Sequence, residues 1–155
     1  MIHRDIACRN VLLMEGNIAK LADFELCVYC NENGIYKDSM HAKLPIKWLS
    51  IEALTDGIFS EMSDVWAFGI LCFEMFSYGN IPYGTMSPEE MRAFLQAEKR
   101  LELPNNTPDY IYDLMQKCWI QESLKRPTFM QINKMIASKL ENETFKYGYL
   151  ALKKV

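Results

Sequence analysis

Asp5, Asn10 and Asp23 carry side chains able to accept a proton or bind a hard cation. Asp5 and Asn10 lie five positions apart in His3-Arg4-Asp5-Ile6-Ala7-Cys8-Arg9-Asn10, and Asp23 follows 18 positions after Asp5, opening Asp23-Phe24-Glu25. A carboxylate beside a hydroxyl can orient it and accept its proton. A second carboxylate and a side-chain amide are hard oxygen ligands of the kind Mg²⁺ prefers. A loop returning over five residues can bring the Asn10 amide to such an ion, and a hairpin after it can bring Asp23 from the other side. Ordinary loop acids and a helix-capping asparagine would also account for these residues, and at this point both readings stand.

Around these residues the sequence outlines a hairpin, a long loop and several helices. Val11 to Met14 and Ile18 to Ala22, around Glu15-Gly16-Asn17, read as two short strands of a hairpin. Residues 23 to about 50 show no sustained period and read as a long loop, of the length usually kept for function or disorder. Val65, Phe68, Gly69, Leu71, Cys72 and Met75 lie in a stretch apolar on nearly every face, which predicts a buried central helix. Ser87-Pro88-Glu89-Glu90 supplies a cap, a first-turn proline and first-turn acids for a second helix. Thr107-Pro108-Asp109 repeats the start signal, and Thr128 with Gln131 forms a capping box before Ile132, Met135, Ile136 and Leu140. Trp66, Trp119 and the methionines read as core. The tail from Glu141 to Val155 has no clear period.

The chain has 155 residues, 50% of them hydrophobic and 24% charged, with a formal net charge of −3. The apolar fraction is that of a globular chain, and the absence of a basic excess argues against a nucleic-acid partner. The longest strongly apolar run, residues 65–73, is nine residues, against about 20 for a membrane span. The N-terminus turns polar at once and carries no secretory signal. Five scattered cysteines read as reduced thiols. Cys27 and Cys30 have metal-pair spacing, but His3 and His41 are not spaced to complete a zinc site.

The residues 3–10 and 23–25 resemble the catalytic loop H-R-D-x-x-x-x-N and the metal-binding D-F-G of protein kinases. Further segments match the family in order. These are Leu44-Pro45-Ile46-Lys47-Trp48 with Glu52, residues 63–69, Pro82-Tyr83, Cys118-Trp119 and Arg126-Pro127-Thr128-Phe129. Ala7 and Arg9, together with the Leu44 to Trp48 segment, are similar to tyrosine kinases, closest to receptor kinases. The resemblance implies a mainly α fold: a kinase C-lobe with a short β-hairpin at the catalytic loop, a long activation segment and a helical subdomain. It covers residues 1–137, leaving 138–155 as a tail.

The family implies a transfer of the ATP γ-phosphoryl group to a protein tyrosine. Asp5 would be the base, Arg9 would help position the hydroxyl, and Asn10 and Asp23 would hold Mg²⁺. Pro45, Lys47 and Trp48 would form the peptide platform, far enough from Asp5 for a tyrosine ring. Tyr29 and Tyr36 would be autophosphorylation sites, with Arg4 pairing the phosphate on Tyr36. Asp64 would accept from catalytic-loop amides, Glu52 and Arg126 would form a buried ion pair, and His3 would be a packing anchor.

Two departures stand out. Glu25 replaces the D-F-G glycine, and Ser50-Ile51-Glu52 replaces A-P-E. No Gly-x-Gly occurs in the chain. The expectation is therefore a C-lobe lacking its N-lobe and inactive alone, since a kinase domain has about 250 residues. Its parent would be a single-pass receptor with this region on the cytoplasmic side, dimerising through the receptor. The alternative is a pseudokinase or interaction module.

Overall fold

The computed structural model describes residues 1–38, 43–105 and 107–146, with side chains described as far as residue 142. His41 and the last part of the expected tail, residues 147–155, lie outside the described residues. The fold is mainly α, with two small antiparallel sheets. In chain order the elements are β1 (Val11–Met14), β2 (Ile18–Leu21), β3 (Tyr36–Lys37), α1 (Ile51–Asp56), β4 (Ile58–Phe59), α2 (Glu61–Phe76), α3 (Pro88–Gln96), α4 (Asp109–Cys118) and α5 (Phe129–Lys146).

α2 is the centre of the molecule. Val65, Trp66, Ala67, Ile70, Leu71 and Cys72 are all buried, as its all-round apolar sequence requires. Its start is fixed by Ser60, whose hydroxyl accepts from Met62 N while Ser63 Oγ accepts from Ser60 N. α2 packs along α4, and the close approach depends on Gly69. A Cβ there would lie 2.6 Å from Trp119 Nε1 and 2.8 Å from Cys118 Cβ. Trp66 and Trp119 are in the core with Met91 and Met115, but Met1, Met14, Met75 and Met130 are exposed, so methionine content alone overstated the core.

The hairpin β1–β2 pairs Val11 with Leu21 through Met14 with Ile18, one residue shorter than expected. The capping boxes at Ser87/Glu90 and Thr128/Gln131 both form. Thr107 does not cap α4. Its hydroxyl donates to Pro104 O and Pro108 takes the cap position, because the proline fixes the backbone entry one residue later. α5 runs on past Leu140 to Lys146, since residues 141–146 contain no Gly or Pro to stop the helix even though they carry no apolar stripe.

The long loop contains structure that its sequence does not announce. Tyr36–Lys37 pairs with Ile58–Phe59, and Ile2 bridges Val28. The short helix α1 ends at Gly57, whose φ of 64° is the left-handed C-cap. Gly57 is also pressed against the loop: Asp38 N donates to its carbonyl at 2.9 Å, and a Cβ on it would lie 2.5 Å from Asp38 O.

Candidate active site

The loop of residues 3–10 is held from beneath by α2. Asp64 Oδ2 accepts from His3 N at 2.7 Å and Oδ1 from Arg4 N at 3.0 Å. These bonds fix a strained backbone, since Arg4 has φ 65°, a left-handed conformation costly for a side-chain-bearing residue. Burial pushes the Asp64 carboxyl above its ordinary range, opposed by the two amides. His3 is buried and its ring packs on Phe24 at 5.2 Å between centroids, as a packing anchor would.

Asp5 is buried but for a small part of its carboxylate, and three bonds set its direction. Asn10 Nδ2 donates to Asp5 O and to Asp5 Oδ2, both at 2.8 Å. Arg9, more exposed, pairs with Oδ1. A short 3₁₀ turn, Cys8–Asn10, makes this return possible over five residues. The Asn10 amide nitrogen is committed to Asp5, so its oxygen is the atom left for a cation.

Asp23 comes near through the backbone: Ala22 N donates to Asn10 O at 2.8 Å. Asp23 is exposed with φ 61°. Among the described residues no group of three or more His, Cys, Asp and Glu gathers as a metal site. Asn10 and Asp23 nevertheless fit Mg²⁺, which is usually held by one or two carboxylates with phosphate and water completing its shell. Glu25 is exposed and lies outside the left-handed region, so a glutamate there is unstrained; its amide donates to Asp23 Oδ1 at 3.4 Å.

The segment of Pro45, Lys47 and Trp48 adjoins Asp5 through Arg9, whose guanidinium carbon stands 4.3 Å from the centre of the Trp48 ring. Pro45 opens a 3₁₀ turn, Ile46–Trp48, with Trp48 N donating to Pro45 O at 2.9 Å. Lys47 Nζ donates to Gly84 O, which directs its charge to the α2–α3 connection. Trp48 Nε1 donates to Glu74 Oε2 at 3.0 Å. That same oxygen accepts from Cys8 N at 3.0 Å. Burial, with the Glu74 charge, pushes the Cys8 thiol up to about 11, so it is not a nucleophile near neutral pH.

Glu52 and Arg126 form a two-pronged pair at 2.6 and 2.8 Å. The remaining Arg126 donors go to the carbonyls of Ile120, Met62 and Gln121. Its guanidinium also stacks on Trp66 at 4.9 Å. All five donors of a fully buried side chain are therefore used.

Arg4 lies in a separate cluster. It donates to Leu26 O at 2.7 Å, pairs with Asp38 at 2.6 Å, and stacks on the rings of Tyr36 and Phe59 at 5.1 and 5.2 Å. Tyr36 is half-buried, whereas Tyr29 is 85% exposed. Two participants were missed from sequence. Asp38 gave no signal within an aperiodic loop. Glu74 did: an acid inside a helix apolar on nearly every face needs a buried partner.

Residues 1–136 match the family model of protein tyrosine and serine/threonine kinases. The chain belongs to the protein kinase family. It is 42% identical over 151 residues to a Caenorhabditis elegans protein named "Putative tyrosine-protein kinase", covering 97% of this chain and 17% of that protein. It is 44% identical over 131 residues to a fibroblast growth factor receptor of Hydra vulgaris, covering 84% of this chain and 16% of the receptor. These relatives place it with the tyrosine kinases, as part of a catalytic domain. The chain spans about a sixth of the length of the curated relatives it matches. In kinase terms, residues 3–10 are the catalytic loop, residues 23–52 the activation segment, and α2 the central helix of the helical lobe.

Proposed function

We propose that the whole protein transfers the γ-phosphoryl group of ATP to a tyrosine hydroxyl of a protein substrate. The observation that carries this is the Asp5 carboxylate, fixed by Asn10 and Arg9 beside a tryptophan platform. Asp5 orients the tyrosine hydroxyl and takes its proton. Arg9 spans the gap between this base and the platform, and Pro45, Lys47 and Trp48 bear on the peptide. Asn10 and Asp23 hold Mg²⁺, which would neutralise charge on the transferred phosphoryl group. Tyrosine rather than serine specificity is supported by Ala7, Arg9 and the tyrosine-kinase relatives.

The remainder of the reading follows from the family. The nucleotide needs a glycine-rich loop and a lysine that this chain does not carry, so the 155 residues alone are inactive and require the kinase N-lobe as partner. The exposed apolar residues Leu12, Leu13, Met14 and Ile18 of the hairpin suit such a partner. The receptor relative supports a membrane-receptor parent with this region on the cytoplasmic side; single-pass topology and dimerisation of that parent are part of the proposal. No helix among the described residues is long and apolar enough to cross a membrane.

A pseudokinase reading rests on one observation, the Glu25 carboxylate two residues from Asp23. Mg-ATP titration with a tyrosine peptide separates the two. Transfer by the full-length protein, reduced about 10²–10⁴-fold by Asp5→Asn, supports the kinase. Nucleotide binding without transfer supports the pseudokinase.

Regulation is proposed at Tyr36 and Tyr29. A phosphate on Tyr36 would enter the Arg4 cluster in competition with Asp38, while Tyr29 is accessible as it stands. Phosphopeptide mapping after incubation with ATP is expected to find phosphate on Tyr36. Phosphate on other tyrosines but never on Tyr36 would contradict the switch.

A further inference from the structure

Glu74 lies near the C-terminal end of α2 and is buried where the helix is otherwise lined by apolar side chains such as Ile70, Leu71 and Cys72. A carboxylate is costly there unless it is hydrogen-bonded. Its Oε2 meets that need with two donors from segments far apart in sequence: Cys8 N of the catalytic loop and Trp48 Nε1 of the platform, each at 3.0 Å. Trp48 is thereby held at its edge by Glu74 and on its face by Arg9, 4.3 Å from the ring centre. Arg9 is in turn paired to Asp5. The base, its arginine, the platform ring and the backbone of the catalytic loop therefore form one closed circuit, with Glu74 as the member outside both segments.

We propose that Glu74 is a positioning residue that fixes the spacing between Asp5 and the Trp48 platform, and so sets the reach required of the substrate side chain. This rests on the tyrosine kinase reading. Glu74 is too deep to touch the peptide and acts through Trp48. Charge-assisted bonds such as these are the stronger class, so loss of the carboxylate charge weakens both arms at once. Loosening the platform is a fault in peptide placement, whereas Asn10 keeps its own bonds to Asp5, Ala7 O and Ala22 N, so the nucleotide side built on Asn10 and Asp23 stays as it was.

The test uses the full-length protein with Mg-ATP, a tyrosine peptide and the variants Glu74→Gln, Trp48→Phe and their combination. Glu74→Gln keeps shape but loses charge. Trp48→Phe removes the ring N–H together with the five-membered ring that carries it, and keeps a smaller aromatic face for Arg9. It serves as the second variant should Glu74→Gln fold poorly. Each is expected to raise the KM for peptide roughly tenfold, the equivalent of about 1.4 kcal/mol. The KM for ATP should stay unchanged, and the double variant should be no worse than the weaker single one. A merely structural role would lower kcat through loss of active enzyme and leave the KM for peptide alone.

Peptide affinity measured without nucleotide keeps the two claims apart. Unchanged KM and unchanged affinity in both variants overturn the positioning role while wild-type turnover upholds the kinase. If the wild type does not turn over but both variants lose peptide affinity roughly tenfold, the transferase reading fails and the positioning role stands. A wild type that neither turns over nor binds the peptide overturns both.

Discussion

Arg126 shows how much one residue can be made to hold. It is fully buried, and every one of its donors is spent, two on Glu52 and three on the carbonyls of Met62, Ile120 and Gln121. Such an arginine ties the end of the activation segment to the turn before α5. Removing its partner by Glu52→Ala leaves a buried charge uncompensated, at a cost of about 3–5 kcal/mol. Chemical denaturation of the chain should show that loss, and a change below about 1 kcal/mol, the level of an exposed pair, would contradict the burial. Arg126 and Glu52 were readable only through family resemblance, because nothing in their 74-residue separation announces a pair. Asp38 was not readable at all. Its role depends on Arg4 being turned toward it by the Asp64 clamp, which is a property of the folded backbone. Glu74 could have been found by asking what an acid does inside an apolar helix.

At the scale of elements, local signals served well and non-local ones did not. The hairpin β1–β2 and the capping boxes at Ser87 and Thr128 rest on residues within a few positions of one another, and these are visible in the sequence. The pairing of Tyr36–Lys37 with Ile58–Phe59 joins two-residue strands across the activation segment, too short for any period to reveal. α1 escaped for the same reason, at six residues. The contact of α2 with α4 offers the clearest test of an element. Gly69→Ala should gain roughly 1 kcal/mol in helix propensity. It should lose more than that to the clash with Trp119, since overpacking typically costs about 1–3 kcal/mol and the indole is rigid. A lower denaturation midpoint for Gly69→Ala is therefore expected, and a higher one would mean that the helices do not approach as described.

For the whole molecule, the central question is whether a site assembled from residues 5–48 on a helical lobe works as a kinase once the rest of its protein is present. The fold class was legible because the motif order spans nearly the whole chain. The working state was less so, because the D-F-G position carries Glu25 and the nucleotide's phosphates would be gripped by residues outside this sequence. Geometry narrows the matter: Glu25 is exposed and unstrained, and Asp5 keeps its Asn10 and Arg9 contacts. The most direct test is phosphate transfer from ATP to a tyrosine peptide by the full-length protein, wild type against Asp5→Asn, with Mg²⁺ present. The wild type is expected to turn over, with a fall of about 10²–10⁴-fold in kcat for Asp5→Asn. No transfer by the wild type, or equal transfer by the two proteins, would overturn the kinase reading.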